Sequence, residues 1–134
     1  DMDGIQKLAS SPLTPWLAQV DKITDQKTLS TALVQMAISD MNVFWSWWVD
    51  SDCEDASIYS FFLAQGGISM PDRDYYLKNT PEMILHRKRF AEMSKSVLQL
   101  AGLPSSVADQ DVANSMEVET AIAKAMTPRD EERD

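Results

Sequence analysis

The chain has 134 residues, 44% of them hydrophobic, with 12 basic and 21 acidic side chains and a formal net charge of −9. That length suits one domain with a real core, and a 25% charged content excludes disordered and collagen-like classes. The acidic balance argues against nucleic acid, because phosphate binding needs clustered Lys and Arg, and Arg87-Lys88-Arg89 is too short a footprint. No apolar run approaches the ~20 residues that a membrane helix needs. Cys53 is the only cysteine, so no internal disulfide can form. His86 is the only histidine, which excludes any site in this chain that needs two imidazole ligands. The start, Asp1-Met2-Asp3-Gly4, lacks the basic and apolar regions of a signal segment, and suits a processed terminus or a piece of a longer chain.

Residues 1–40 are expected to form short helices. Pro12 and Pro15 break the first part, and Trp16, Leu17, Val20 and Ile23 then recur at helical spacing. A helix follows over about 26–38, with Thr24 or Asp25 as cap and Leu29, Leu33, Met36 and Ala37 as its apolar stripe. Residues 43–65 read as a β-hairpin. Val43–Val49 and Ile58–Leu63 are rich in aromatic and β-branched residues, with a polar turn over 50–55. Trp45 and Trp47 point one way, Phe44 and Trp48 the other. Strands apolar on both faces are usually covered on both, and two strands cannot cover themselves. A large exposed apolar patch, or a self-association that hides it, is therefore expected.

Residues 66–79 read as a loop and 80–126 as two long helices. In the first, Thr80 caps, Pro81 opens, and Gly102 with Pro104 closes. Its seam, Met83, His86, Phe90, Met93, Val97 and Leu100, is spaced for packing on another helix. The second runs from about 106 to 126, with Val112, Met116, Val118, Ile122 and Met126 on its apolar arc. Residues 127–134 form a tail.

Few constellations here carry chemistry. Glu82 and His86 lie one helical turn apart, but two ligands do not make a zinc site, and a packed histidine is the plainer reading. Met83 stands where a Glu-x-x-His di-metal motif needs glutamate. Counted from Asp50, a calcium loop would need Gly and Glu where Asp55 and Phe61 stand. Those aspartates suit a solvated turn instead. Cys53 has no basic neighbour to activate it. Glu119 falls inside the apolar arc and must be paired or protonated there. Arg73, Arg129 and Arg133 are candidate partners, and the expectation is that Glu119 anchors the 72–76 segment through Arg73.

The run Gln65-Gly66-Gly67-Ile68-Ser69-Met70-Pro71-Asp72-Arg73-Asp74-Tyr75-Tyr76-Leu77 resembles a signature of the neprilysin and endothelin-converting-enzyme family of zinc metallopeptidases. Members carry leucine-proline-x-arginine-aspartate-tyrosine-tyrosine, and here Met70 holds the leucine position. Glu117–Ala125 resembles the family's glutamate-threonine-x-leucine-alanine helix, and Arg133-Asp134 a further arginine-aspartate pair. The resemblance covers essentially the whole chain. It implies a mainly α fold with a small β-hairpin, an α+β chain forming the helical lobe of a two-lobed metallopeptidase. It carries Arg73, Asp74, Tyr75, Glu119 and Arg133 over as structural motif residues, and carries over no catalytic or metal-binding residue. In the family, an H-E-x-x-H helix and a later glutamate hold zinc, and those motifs lie C-terminal of the matched region. Zinc is then expected in the parent enzyme and no cofactor in this chain.

The leading expectation is a non-catalytic N-terminal portion of a zinc endopeptidase, partnered by its C-terminal catalytic domain and acting on peptides. The runner-up is a stand-alone helical interaction module docking through its Trp-rich hairpin. A metal protein built on Glu82 and His86 comes third. The family implies an extracytoplasmic setting, periplasmic, secreted or membrane-anchored. A lone cysteine and no N-x-Ser/Thr sequon point to a bacterial-type member.

Overall fold

The computed structural model of the chain describes residues 8–128 and Glu131. Its mainly α architecture with one small hairpin agrees with the sequence reading. A 3-10 turn, Ser11–Leu13, leads into helix α1, Thr14–Val20, with Pro15 near its start. Helix α2 spans Gln26–Ile38, and Asp25 is the cap. Its carboxylate accepts from Thr28 N–H at 2.8 Å, and the Thr28 hydroxyl oxygen accepts in return from Asp25 N–H at 3.0 Å. This reciprocal box satisfies two donors that the helix start would otherwise leave open.

Strands β1, Trp45–Ser51, and β2, Tyr59–Gln65, pair antiparallel, with Trp47 opposite Leu63 and Val49 opposite Phe61. Against the expected 43–49 and 58–63, β1 runs two residues further toward the turn and β2 two residues further away from it. For β1 the turn chemistry is the cause. Asp52 Oδ1 accepts from the Glu54 and Asp55 amides, Asp52 Oδ2 accepts from Ser60 Oγ at 2.6 Å, and Asp52 N–H donates to Ile58 C=O. The tight Asx turn draws polar Asp50 and Ser51 into the ladder.

Beyond β2 the chain passes Gly66 and Gly67, then makes helix α3, Asp74–Leu77. The sequence reading takes this one-turn helix for loop. Asp72 starts it by accepting from Asp74 N–H at 2.9 Å. Helix α4 spans Pro81–Leu100, with Thr80 Oγ1 accepting from Met83 N–H, and helix α5 spans Ser105–Ala125. Gly102 lies between them at φ +102°, the left-handed conformation that closes helices.

The α3, α4 and α5 helices pack on one another. Their core is Met70, Tyr76 and Ala123, flanked by Ile68, Tyr75, Leu77, Phe90 and Met116. Here the expected seam of α4 is corrected. Met83, His86 and Phe90 are half-buried, but Met93, Val97 and Leu100 are exposed, Leu100 at 82%. In the second half of α4, the half-buried positions include Ala91, Ser94, Leu98 and Ala101 instead. These face the part of α5 that buries Ala108 and Val112. Small side chains on both helices allow close approach, and Met93 and Val97 line an open cleft with Val112 and Ser115 of α5 rather than a closed seam. Lys95 reaches across to Asp109 at 2.6 Å and adds a partly exposed ion pair to this contact.

Candidate functional site

The densest polar arrangement among the described residues joins the start of the 69–77 segment to the middle of α5. Glu119 projects from α5 toward the chain leaving the hairpin. Its Oε2 accepts from Ser69 N–H at 2.9 Å, its Oε1 accepts from Ser69 Oγ at 2.8 Å, and Tyr76 Oη donates to Oε2 in a short hydrogen bond. The Tyr76 hydroxyl oxygen accepts in turn from the amides of Met70, at 2.9 Å, and Ser69, at 3.2 Å. One carboxylate and one phenol thus absorb the backbone donors of a segment that belongs to no helix or strand.

Burial explains the electrostatics. Tyr76 is 5% exposed, and losing water pushes its phenol up to about 12, with the hydrogen bond to Glu119 adding to the rise. The phenol therefore remains a donor across the ordinary pH range. Met70, next to these bonds, fills a core position at 6% exposure, so the methionine substituted into the leucine position packs as leucine would.

The expected Glu119–Arg73 anchor is not what the structure shows. Arg73 is half-buried, and no carboxylate pairs with it among the described residues. Glu119 is satisfied by a tyrosine and a serine, which cost less to bring together than a second charge would. Arg129 and Arg133, the other candidates, lie outside the described residues. Asp74 opens α3 and pairs with Lys78 on the surface. Tyr75 flanks the core and packs its ring 5.3 Å from the His86 imidazole.

Arg87 is the arginine that ties the segment, and the sequence reading missed it. One guanidinium nitrogen donates to Tyr75 C=O at 2.6 Å and Lys78 C=O at 2.8 Å, and the other to Asn79 Oδ1 at 3.0 Å. These carbonyls lie at the open end of α3, where no helical N–H reaches them. The sequence shows Arg87 only as part of a short basic run. Its role needs the α3–α4 corner, which periodicity does not reveal.

Close backbone approach completes the junction. Gly67 has φ +85°, and a Cβ there would lie 3.2 Å from Phe44 and 3.3 Å from Ile122. A Cβ on Gly66 would lie 3.2 Å from Trp45 Cα. The two glycines let the hairpin base, the 66–70 segment and α5 meet. Among the open clefts at the junction, two border the hairpin base. One is bordered by Asp72, Arg73 and Met126 (about 540 Å³), the other by Asn42, Asn114 and Ile122 (about 610 Å³).

No metal centre emerges from these residues. His86 Nε2 lies 3.7 Å from Glu82 Oε1, and no third donor joins them in a group able to hold a metal among the described residues. Asp52 and Asp55 are spent on the turn, and their pKa values are lowered mainly by the Ser60 and Ser57 hydroxyls respectively. Cys53 is an exposed thiol at the hairpin tip.

A helical layer with a tyrosine–glutamate junction under a Trp-rich hairpin defines a structural module, and comparison identifies its class. The N-terminal model of peptidase family M13 matches residues 1–134, and the chain belongs to that family. It is 27% identical over 140 residues to an endothelin-converting enzyme homolog of Locusta migratoria, covering 98% of this chain and 19% of the relative. It is 28% identical over 138 residues to endothelin-converting enzyme 1 of Bos taurus, covering 99% of this chain and 17% of that one. The fold matches the crystal structure of the Mycobacterium tuberculosis zinc metalloprotease Zmp1, bound to an inhibitor, with a TM-score of 0.79 at 22% identity. That match covers 93% of this chain and 19% of Zmp1. The chain therefore spans under a fifth of the length of the proteins it matches.

Proposed function

We propose that this chain is a non-catalytic N-terminal portion of a zinc metalloendopeptidase, and that it builds part of the helical lobe enclosing the active-site cavity. One observation carries the reading. A peptidase-family match runs over residues 1–134, yet those residues correspond to only 19% and 17% of the two endothelin-converting relatives. The chemistry of the chain agrees. With His86 as the only imidazole, the residues do not fit the zinc that the family implies, and no reaction step is derived through them. What they supply is shape: α5 is locked, through Glu119, Tyr76 and Ser69, to the segment that leaves the hairpin. The zinc and the water it activates belong, on this reading, to an H-E-x-x-H segment elsewhere in the parent polypeptide.

The family match gives no support to a stand-alone interaction module. An extracytoplasmic setting remains part of the proposal, resting on the family resemblance. No helix of the described residues is long and apolar enough to cross a membrane. The similar proteins come from an insect, a mammal and a mycobacterium, so they lend no support to the expected bacterial-type origin.

Expression of the native gene tests the reading. Its product should contain an H-E-x-x-H motif, cleave short peptides, lose that activity to a chelator and regain it with zinc. The 134-residue chain alone should cleave none. A native product ending at Asp134, or chelator-sensitive cleavage by the isolated chain, overturns it.

A further inference from the structure

The odd-numbered face of the hairpin carries Trp45, Trp47 and Val49 on β1 and Tyr59, Phe61 and Leu63 on β2. Every one of the six is exposed, from 37% at Trp47 to 78% at Tyr59. Trp47 stacks on Phe61 with ring centroids 5.9 Å apart, so the surface is ordered into a flat aromatic platform. The opposite face differs. On β2, Ser60, Phe62 and Ala64 are half-buried, while on β1 Trp48 is 44% exposed and stacks on Phe62, and Ser46 borders both clefts shared with α5 or the chain just after it. The even-numbered face is thus partly covered on its β2 half, whereas the odd-numbered face is open on both strands.

Large side chains offer roughly 150–250 Å² each, so six exposed by a third to three quarters present on the order of 600 Å² of apolar surface. That is at the upper end of what a monomer leaves open, and near the ~800 Å² that each side of a stable interface buries. The platform carries no charge, although the chain carries −9. A second copy would bring another −9 against it. The hairpin also belongs to a fold shared, over 93% of this chain, with a protein about five times as long.

We infer that the odd-numbered face of the hairpin is an intramolecular docking surface, covered by the part of the same polypeptide that lies outside these 134 residues. This rests on the proposed function, since it needs that longer polypeptide to exist. The covering segment is apolar and flat, with Trp47 and Phe61 as its central anchors.

Hydroxyl-radical footprinting of the native gene product, read by mass spectrometry, tests this with Tyr59 and Tyr76 as a matched pair of one residue type. Tyr59 is 78% exposed and Tyr76 5% exposed in the structure. In the native product Tyr59 should label within about twofold of Tyr76, because an interface core excludes water as a protein interior does. In the 134-residue chain Tyr59 should label at least about fivefold faster than Tyr76. The native-product ratio stands by itself if the short chain does not fold. Fast Tyr59 labelling in a native product that carries H-E-x-x-H overturns the inference and leaves the proposed function intact. Fast labelling there, combined with concentration-dependent protection in the short chain, overturns it in favour of a second copy. A native product ending at Asp134 removes both the inference and the function it rests on.

Discussion

Tyr76 and Glu119 lie 43 residues apart and hold two parts of the chain in one place. Removing the phenol oxygen in Tyr76→Phe leaves the Met70 amide without its acceptor and takes from Glu119 one of its three donors. A buried unsatisfied group costs ~1–3 kcal/mol, so Tyr76→Phe should lower unfolding stability by about that much in urea titration. Glu119→Gln keeps an acceptor for Ser69 and should cost less than Glu119→Ala. The same pair sets an alkaline limit. The folded phenol titrates at about 12, above the unfolded value near 10. Its contribution is therefore complete below pH ~10 and is lost as pH rises through ~12. Thermal unfolding of the wild type should show that fall, and Tyr76→Phe should flatten it. A wild-type midpoint as stable at pH 12 as at pH 9 contradicts this assignment.

At the scale of elements, two junctions decide how the helices meet. Arg87 closes the corner between α3 and α4 through two backbone carbonyls and Asn79. Arg87→Ala should cost ~1 kcal/mol or somewhat more, because it strands the part-buried Tyr75 carbonyl and frees the corner held at Lys78 and Asn79. Arg73→Ala should cost less, within ~0.5 kcal/mol, since no ion pair or side-chain hydrogen bond holds this half-buried residue among the described residues. Parallel denaturant titrations check the pair, and an Arg73 effect larger than that of Arg87 reverses the assignment. Gly67 and Gly102 make a second comparison. Both have positive φ, but a Cβ meets Phe44 and Ile122 at Gly67 and open space at Gly102. Gly102→Ala should cost about 1 kcal/mol from backbone strain alone, and Gly67→Ala clearly more. Equal losses would mean that the close approach at Gly67 carries no energy.

The same elements show what a sequence makes legible. Thr80-Pro81 and Gly102 mark the ends of α4 because caps are local chemistry, and Asp25 is readable as a cap for the same reason. The hairpin is readable from its composition, its register is not, because Asp52 bonding to Ser60 sets it across the turn. Glu119 is legible as a carboxylate in an apolar arc. Its partner is not, because Tyr76 reads as part of a motif and only the folded chain brings its hydroxyl to Glu119. The exposure of Met93, Val97 and Leu100 is illegible in the sequence for a related reason. Spacing identifies an apolar stripe, while the small residues Ala91 and Ser94 decide which stripe faces α5.

At the scale of the whole molecule, a 134-residue chain has no large side chain fully buried among its described residues, and its aromatic platform lies open. A self-sufficient domain of this size normally hides such side chains. The proposed place of this M13 chain within a larger packing unit would account for both features. The most direct test is the zinc content of two purified proteins, the native gene product and the 134-residue chain, measured by plasma mass spectrometry. The native product should carry one zinc per polypeptide and the short chain none above background. Stoichiometric zinc in the short chain, or a native product without zinc, would contradict the assignment of this chain to the non-catalytic part of a zinc peptidase.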